Sequence, residues 1–394
     1  MLNHFPVVAI LGARQCGKTT LSKQVSPDWH YIDLENPNDY DRIKYDPVFF
    51  FSQYPKNVII DEAQLYPELF QVLRGVIDQD RQKKGRFILT GSSSPDLLTQ
   101  ISESLAGRIA LVELGTLKVN EYAQQPLSKF YQLFDQPLAI ENLPKDLKSL
   151  SKEAVHTIWL KGGYPEPLLN PGYFDLWMDN YRATYINRDI ANLFPRLNRQ
   201  TYQRFLGIMS HLSGTKINRV EIGRGLEASE GSVREYLSIA DGTYLWRQLP
   251  SFERDSLKSV VKMPKGHIRD NGLLHYLLKI NNLDYLYSHP QVGHSFESFV
   301  IEEILKGLSA TNVTNWQAYY YRTRNGAEID LIIDGPFGTL PIEIKYGEKV
   351  QLKQLSALKQ FIEERNLPFG LVINQADKIE WLTPKILQLP VGYL

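Results

Sequence analysis

The residues with the clearest chemical role form a glycine-containing loop near the start of the chain. An apolar run at positions 7–11 leads directly into the pattern GxxxxGK[ST]. Glycines let the backbone approach an anion closely, and a helix that begins at the lysine would direct its positive end toward that anion. The alternative is an ordinary glycine-containing turn between a strand and a helix. The residues predicted to surround bound phosphates are Gly12, Ala13, Arg14, Gln15, Cys16, Gly17, Lys18, Thr19 and Thr20.

Two adjacent acids follow the apolar strand predicted at positions 58–60. Asp61 would hold the shell of a Mg²⁺ ion that the Thr19 hydroxyl also binds, while Lys18 contacts the β and γ oxygens. Glu62 would polarise the water that attacks the γ-phosphate. The same two acids could instead cap the following helix, because carboxylates stabilise helix N-termini. With the phosphate loop upstream, we expect the catalytic arrangement.

A second group of chemically suggestive residues lies in the last hundred positions. Glu297 belongs to a stretch whose apolar residues have helical spacing. Asp330 lies in a predicted strand at positions 326–333, and Glu343 and Lys345 lie in the next one. Together they resemble the PD-(D/E)xK nuclease signature, although Ile329 stands where that signature has proline.

The chemistry of this second group would be metal-dependent phosphodiester cleavage. Asp330, Glu343 and Glu297 offer hard oxygen ligands for Mg²⁺ or Mn²⁺. Lys345 lies two positions after Glu343, so both would point to one face of a strand and the lysine could orient or deprotonate the attacking water. Two alternatives remain: Glu343 and Lys345 could form a surface ion pair, or the fold could persist without cleavage.

Three further segments give a family resemblance. Residues 104–108 (SLAGR), 162–167 (GGYPEP) and 185–189 (YINRD) follow the phosphate-loop motifs in order. With the C-terminal pattern, they resemble bacterial and archaeal AAA+ ATPases whose C-terminal half is a domain of unknown function with a restriction-endonuclease-like core. The resemblance spans nearly the whole chain. It implies Mg²⁺-dependent ATP binding and hydrolysis.

The resemblance also suggests further roles within the ATPase site. Thr90 or Ser92, at the end of a short apolar strand, would be the polar sensor of the γ-phosphate, although a serine-rich turn explains them equally well. Arg108 is the first candidate for an arginine finger, and Arg188 is the second. Each arginine could instead form an ordinary salt bridge. If Arg108 acts on a neighbouring subunit, the protein is a homo-oligomer, in the form of a ring.

Composition limits the classes that the chain can belong to. At 394 residues and 43% hydrophobic content, it is long enough for two or three domains with real cores. The formal net charge is zero, so any nucleic-acid contact must depend on a local basic patch. The apolar runs have the length of strands, and a single cysteine excludes an intramolecular disulfide. We therefore expect a cytoplasmic protein without a membrane partner.

The order of elements predicts an α/β fold. Apolar strands at 7–11, 31–34, 58–60, 87–89 and 109–114 alternate with helices, which is typical of a parallel sheet. We divide the chain into an AAA+ P-loop ATPase core, a helical lid or linker, a winged-helix-like region and a restriction-endonuclease-like α/β domain. Their predicted bounds are 1–125, 126–200, 201–285 and 286–394.

Residues 218–237 have the pattern of two helices joined by a turn, and a strand is predicted at 244–249. Such a unit could place its second helix in the DNA major groove, or it could serve only to pack against protein. We expect an ATPase that acts on nucleic acid, DNA in preference to RNA, with ATP and Mg²⁺ as cofactors and a second Mg²⁺ or Mn²⁺ ion in the nuclease-like domain. The alternative is an ATP-regulated nucleic-acid- or protein-binding module with a catalytically inactive nuclease fold.

Overall fold

The described part of the chain forms two units. The computed structural model describes residues 1–92, 103–190, 194, 197–253, 263–323 and 326–394, without the side chains of Ser92, Pro171, Asn187 and Arg188. Residues 1–116 and 237–245 form the first unit, and residues 117–236 and 246–394 form the second. The finer division into four segments stays a prediction.

A parallel sheet forms the centre of the first unit. Its strands are β1 (Val7–Gly12), β2 (His30–Asp33), β3 (Val58–Asp61), β4 (Phe87–Ser92) and β5 (Ile109–Leu114). They lie in the order β2-β3-β4-β1-β5, and every neighbouring pair is parallel. The α-helices around them are Lys18–Val25, Pro37–Tyr45, Pro47–Gln53 and Leu69–Asp78. The predicted α/β class and N-terminal parallel sheet are confirmed.

Strand β1 is buried on both faces of this sheet. Val7, Ala9 and Leu11 pack into the core on one face, while Val8 and Ile10 pack into the core on the other. This alternation follows from the two-residue period of a strand. A continuous apolar run is therefore what a central parallel strand requires. The loop that follows Gly12 leaves from the carboxyl end of the sheet, where ligands of open α/β folds bind.

The second unit contains two sheets. A small antiparallel sheet consists of β6 (Thr215–Lys216), β7 (Trp246–Leu249) and β8 (Lys265–Ile268), in the order β6-β8-β7. The larger sheet consists of β9 (Gln317–Arg322), β10 (Glu328–Gly335), β11 (Gly338–Ile344), β12 (Gly370–Asn374), β13 (Glu380–Thr383) and β14 (Ile386–Pro390). Its order is β13-β14-β12-β11-β10-β9, with parallel pairing only for β11 with β12 and β12 with β14 among these strands.

Helices surround the two sheets of the second unit. The α-helices are Val119–Tyr122, Lys152–Lys161, Pro165–Leu169, Phe174–Tyr181, Arg199–His211, Arg219–Leu226, Asn271–Leu277, Leu283–Ser288, Val292–Ser309 and Ser356–Glu364, and a π-helix covers Arg182–Asp189. The helix Glu230–Gly242 contributes residues to both units. Short 3₁₀ helices lie at Ala63–Leu65, Lys129–Asp135, Ile140–Asn142, Pro171–Tyr173, Leu352–Leu355 and Val391–Tyr393. Within the ranges described, no helix combines the length and the apolarity needed to cross a bilayer.

The elements predicted between residues 218 and 249 are present. Asn218 caps the helix Arg219–Leu226 by accepting hydrogen bonds from two backbone N–H groups. The next helix begins at Glu230, where Ser229 accepts from the N–H of Ser232. Strand β7 follows and pairs with β8.

Candidate functional site

The loop after β1 has the backbone that a phosphate-binding loop needs. A Cβ atom at Gly12 would lie 2.2 Å from the carbonyl oxygen of Leu114, so only glycine fits there. Gly17 has a φ of 102°, in the left-handed region that favours glycine. It precedes the helix Lys18–Val25 without any side-chain cap, so the first N–H groups of this helix suit an anion.

Lys18 lies inside this loop. Its side chain is buried, and its Nζ atom donates to the carbonyl oxygens of Gly12 at 3.2 Å and Ala13 at 2.9 Å. The ammonium is thereby held against the loop. Elsewhere in the predicted set, Arg14 pairs with Glu35 at 3.5 Å, Cys16 is buried, and Gln15 and Thr20 are exposed.

Asp61 is the centre of the acidic half of this site. It is buried at the carboxyl end of β3, which lies between β2 and β4. The hydroxyls of Thr19 and Tyr31 both donate to its Oδ2 atom, each at 2.7 Å. The hydroxyl of Thr90 donates to Oδ1. The predicted meeting of Thr19 and Asp61 is therefore present as a direct hydrogen bond.

Tyr31 is a functional candidate that the sequence did not indicate. It lies on β2, the neighbour of β3, and its ring lies 3.6 Å from the Nζ atom of Lys23. Burial, together with the hydrogen bond to Asp61, raises the pKa of the phenol, so Tyr31 stays a donor at neutral pH. Tyr31 lies on the face of the sheet that the helix Lys18–Val25 covers. This position could have indicated its role, but only if the order of the strands had been known.

Glu62 follows Asp61 in an uncommon backbone conformation. Its φ of 54° is in the left-handed region, which for a non-glycine residue costs roughly 1–3 kcal/mol. The amide of Gln64 donates to its Oε2 atom. Glu62 precedes the 3₁₀ helix Ala63–Leu65 and makes no side-chain capping bond to it. The capping alternative thus has no support in the geometry at Glu62.

The remaining ATPase-site predictions fall in different places. Thr90 contacts Asp61, so the structure places it beside the predicted metal ligand. The side chain of Ser92 and all of residues 93–102 lie outside the described residues, as does the side chain of Arg188. Arg108 forms a two-pronged ion pair with Asp78, with N–O distances of 2.8 and 2.9 Å. This is the salt-bridge arrangement named above as its alternative role.

The four predicted nuclease-like residues lie close together in the second unit. Glu297 comes from the helix Val292–Ser309, Asp330 from β10, and Glu343 from β11. Asp330 accepts a hydrogen bond from the N–H of Ile344 at 2.8 Å. Lys345, directly after β11, donates a hydrogen bond to Glu343. The three carboxylates are buried, so Glu343 and Lys345 are not merely an exposed surface pair.

The electrostatics of this cluster reflect crowded acids. Burial, with the nearby charges of other acids, raises the pKa of Glu343 to about 8 and that of Asp330 to about 6. For Glu297, burial acts in the same direction, but Lys265 and His294 together outweigh it and lower the pKa. The Oε2 atom of Glu343 is buried without a hydrogen-bond partner. At neutral pH, we expect Glu343 to hold a proton.

Lys265 is the member of this cluster that the sequence did not indicate. It comes from β8 and is buried, and its Nζ atom lies 2.6 Å from Glu297 Oε1 and 2.7 Å from Glu328 Oε1. It is also 3.5 Å from Asp330 Oδ1. Across the residues that the structure describes, no group of three or more His, Cys, Asp or Glu side chains is arranged to hold a metal ion.

The glycine loop around buried Lys18 follows β1, and Asp61 ends β3, two strands away in the same parallel sheet. This arrangement defines a P-loop ATPase domain of the AAA class. In agreement, residues 4–123 match the family model described as an AAA domain. Residues 152–284 and 292–394 match two domains of unknown function, DUF8612 and DUF4143. The predicted AAA-type ATPase with C-terminal domains of unknown function is confirmed at this level.

Two relatives that match most of the chain place it in a family. Uncharacterised proteins of Mycobacterium bovis and Mycobacterium tuberculosis are each 35% identical to it over 338 residues, which cover 84% of this chain and 68% of theirs. The chain belongs to the same family as these two proteins. Among solved structures, it is similar to the Walker-type ATPase PABY2304 of Pyrococcus abyssi, with 17% identity, a TM-score of 0.42, and coverage of 70% of this chain and 92% of that one. That TM-score is too low to support an inference about this chain.

Proposed function

We propose that the chain binds Mg²⁺·ATP at the P-loop and hydrolyses it. Lys18 would contact the β and γ oxygens, and Glu62 would position and polarise the attacking water. The residues fit a metal ion because the hydroxyl of Thr19 and the carboxylate of Asp61 are already 2.7 Å apart. When bound there, Mg²⁺ supplies charge neutralisation and Lewis acidity at the phosphates.

The observation that carries this proposal is the set of hydroxyls on Asp61. Thr19, Tyr31 and Thr90 come from a helix and two strands, yet all three donate to one carboxylate. A carboxylate that accepts several hydrogen bonds is held in one orientation. Such an acid beside the loop is what binding of magnesium nucleotide requires.

Calorimetry of Mg²⁺·ATP binding tests the proposal. Lys18→Ala should weaken binding roughly tenfold to hundredfold, the effect of losing about 1.5–3 kcal/mol of hydrogen bonding to a charged group. Lys84→Ala, which removes an exposed lysine of the same unit, is the matched control and should bind as the wild type does. Equal affinity in wild type and Lys18→Ala would contradict the proposal.

We further propose that Arg108 acts in a homo-oligomeric ring, as the resemblance implies. Its guanidinium would have to leave Asp78, to which it is bound by two hydrogen bonds. An arginine is suited to this exchange because its fork binds carboxylate and phosphate in the same planar geometry. A specific ATPase rate that is independent of protein concentration would contradict a role in trans.

ATP turnover would act on the second unit, for which we propose nucleic acid as the partner, DNA in preference to RNA. The support is the set of arginines on the helices Arg219–Leu226 and Glu230–Gly242, namely Arg219, Arg224 and Arg234. Arg219 and Arg234, however, both lie near Glu230, at 3.4 and 3.9 Å, which lowers the local positive charge. Phosphate contacts should appear as affinity that falls steeply with salt. Salt-independent binding, or none, would instead favour a protein partner.

A second candidate function is metal-dependent cleavage by the nuclease-like cluster. The convergence of Glu297, Asp330, Glu343 and Lys345 favours it. The presence of the Lys265 ammonium among the carboxylates does not favour it, because that position is already held by a cation. End-labelled DNA and RNA incubated with Mg²⁺ or Mn²⁺ would test cleavage, and Lys345→Ala would have to abolish any cutting that belongs to this site.

A further inference from the structure

The acidic cluster of the second unit already contains a cation. The Lys265 ammonium lies 2.6 Å from Glu297 Oε1, 2.7 Å from Glu328 Oε1 and 3.5 Å from Asp330 Oδ1. These acids belong to a helix and to β10, so one point charge serves carboxylates from separate elements. Mg²⁺ or Mn²⁺ would need oxygen ligands at roughly 2.0–2.2 Å around the same position.

Lys265 is a fixed part of the fold. It lies at the start of β8, the central strand of the small sheet, where it pairs with Leu249 on one side and Lys216 on the other. The carbonyl of the preceding residue, Pro264, accepts a hydrogen bond from Ile217 at 2.9 Å. About 4% of its surface is exposed, so its ammonium group cannot reach solvent from this position.

The second lysine of the cluster, Lys345, also has a carboxyl partner. It donates a hydrogen bond to Glu343, the acid expected to bind a catalytic metal. An ammonium group supplies one charge and three donors, but it has no vacant coordination position at which water could be activated. The residues present therefore do not fit the divalent ion that a nuclease-like fold implies.

We propose that Lys265 is the permanent counter-ion of this cluster, that it takes the place of a divalent metal, and that the second unit does not cleave nucleic acid. The Lys265 ammonium then joins β8, β10 and the helix Val292–Ser309 through ion pairs. This inference does not depend on ATP hydrolysis at the P-loop. A chain that hydrolyses ATP and also binds Mn²⁺ through Asp330 would overturn it and leave the ATPase proposal intact.

The first test measures Mn²⁺ binding to the full chain without nucleotide. Electron paramagnetic resonance reports the free Mn²⁺ that remains. Wild type and Asp330→Asn should bind the same amount of Mn²⁺, because the cluster takes none. Binding by the wild type that Asp330→Asn removes would overturn the proposal. The same two proteins should leave end-labelled DNA and RNA uncut.

The second test removes the counter-ion. Lys265→Met keeps a long side chain without charge, and it should gain one Mn²⁺ site per chain that the further change Asp330→Asn removes. Lys118→Met is the matched control, because Lys118 is also a buried lysine in an ion pair, at 3.4 Å from Glu303. Its single carboxylate cannot form a comparable site, so no Mn²⁺ gain is expected. If Lys265→Met folds but gains no Mn²⁺ site, the ammonium is not what excludes the metal. If this variant does not fold, the comparison of Mn²⁺ binding by wild type and Asp330→Asn decides alone.

Discussion

Replacing Glu343 by Gln should remove a pH-dependent loss of stability that the structure assigns to this carboxyl group. Burial and the neighbouring Asp330 raise the pKa of Glu343 from the ordinary 4.5 to about 8. Between these values, the folded protein holds a proton that the unfolded chain has lost. Stability therefore falls as the pH rises through this interval, because the folded state binds more protons there.

The size of the effect follows from the same pKa. One proton held only by the folded state gives a slope of about 1.4 kcal/mol per pH unit. The slope flattens near the folded-state pKa, so the free energy of unfolding falls by about 2 kcal/mol in total between about pH 6 and about pH 8. This interval is chosen because Asp330, whose pKa burial raises to about 6, titrates mainly below it.

The assay is urea unfolding of wild type and Glu343→Gln at several pH values in this interval. Tryptophan fluorescence reports mainly on the second unit, which contains five of the six tryptophans: Trp159, Trp177, Trp246, Trp316 and Trp381. Both proteins contain the same histidines, so the difference between the two curves isolates Glu343. Glu363→Gln, at a carboxylate that is 61% exposed, is the control and should leave the slope unchanged.

The reasoning predicts that the difference in unfolding free energy between wild type and Glu343→Gln changes by about 2 kcal/mol across the interval. The wild type should lose stability with rising pH relative to the variant. Parallel curves would refute the reasoning, because they would mean that Glu343 is already ionised at about pH 6 and is not a protonated, buried acid.

Two other substitutions test the ATPase unit. Tyr31→Phe removes one hydrogen-bond donor from Asp61. It should raise the Mg²⁺ concentration for half-maximal ATPase activity roughly fivefold, which corresponds to ~1 kcal/mol, with little change in kcat. Tyr40→Phe is the control, and an unchanged Mg²⁺ requirement in Tyr31→Phe would show that Tyr31 does not position Asp61. Arg108→Ala should lower ATP turnover about a thousandfold if the guanidinium is a finger, whereas Asp78→Asn, which releases it, should retain or raise turnover. Equally small losses in both variants would leave Arg108 as an ion-pair partner alone.

The N-terminal unit was predictable because its signals are local. A buried parallel strand needs a continuous apolar run, and β1, β3 and β4 each have one that ends at a site residue. The phosphate loop and its lysine lie within a few residues of one another. The position of Asp61 was predictable because the carboxyl ends of all strands in a parallel sheet lie at one edge.

The functional candidates that the sequence did not indicate contact partners far away in the sequence. Tyr31 reaches Asp61 from 30 positions away, and Lys265 reaches Glu328 from 63 positions away. Neither belongs to a spacing pattern, and both were found only when the strand order was known. Gln64 is close to Glu62 in sequence, but its contact depends on the left-handed backbone of Glu62, which no local pattern indicates.

Lys265 also changes the expectation for the second metal ion. The acids Glu297, Asp330 and Glu343 were expected to converge, and they do so. What acid spacing could not show is that a lysine on a separate sheet would neutralise them. A second Mg²⁺ or Mn²⁺ ion is therefore not supported, whereas ATP and Mg²⁺ at the P-loop agree with the AAA domain.

We propose that Glu62 catalyses hydrolysis of nucleotide bound at the P-loop, and steady-state phosphate release by wild type and Glu62→Gln is the decisive measurement. The wild type should show Mg²⁺-dependent turnover. Glu62→Gln should bind Mg²⁺·ATP with unchanged affinity but hydrolyse it at least roughly a hundredfold more slowly. Equal rates for the two proteins, or no Mg²⁺-dependent turnover by the wild type, would contradict it.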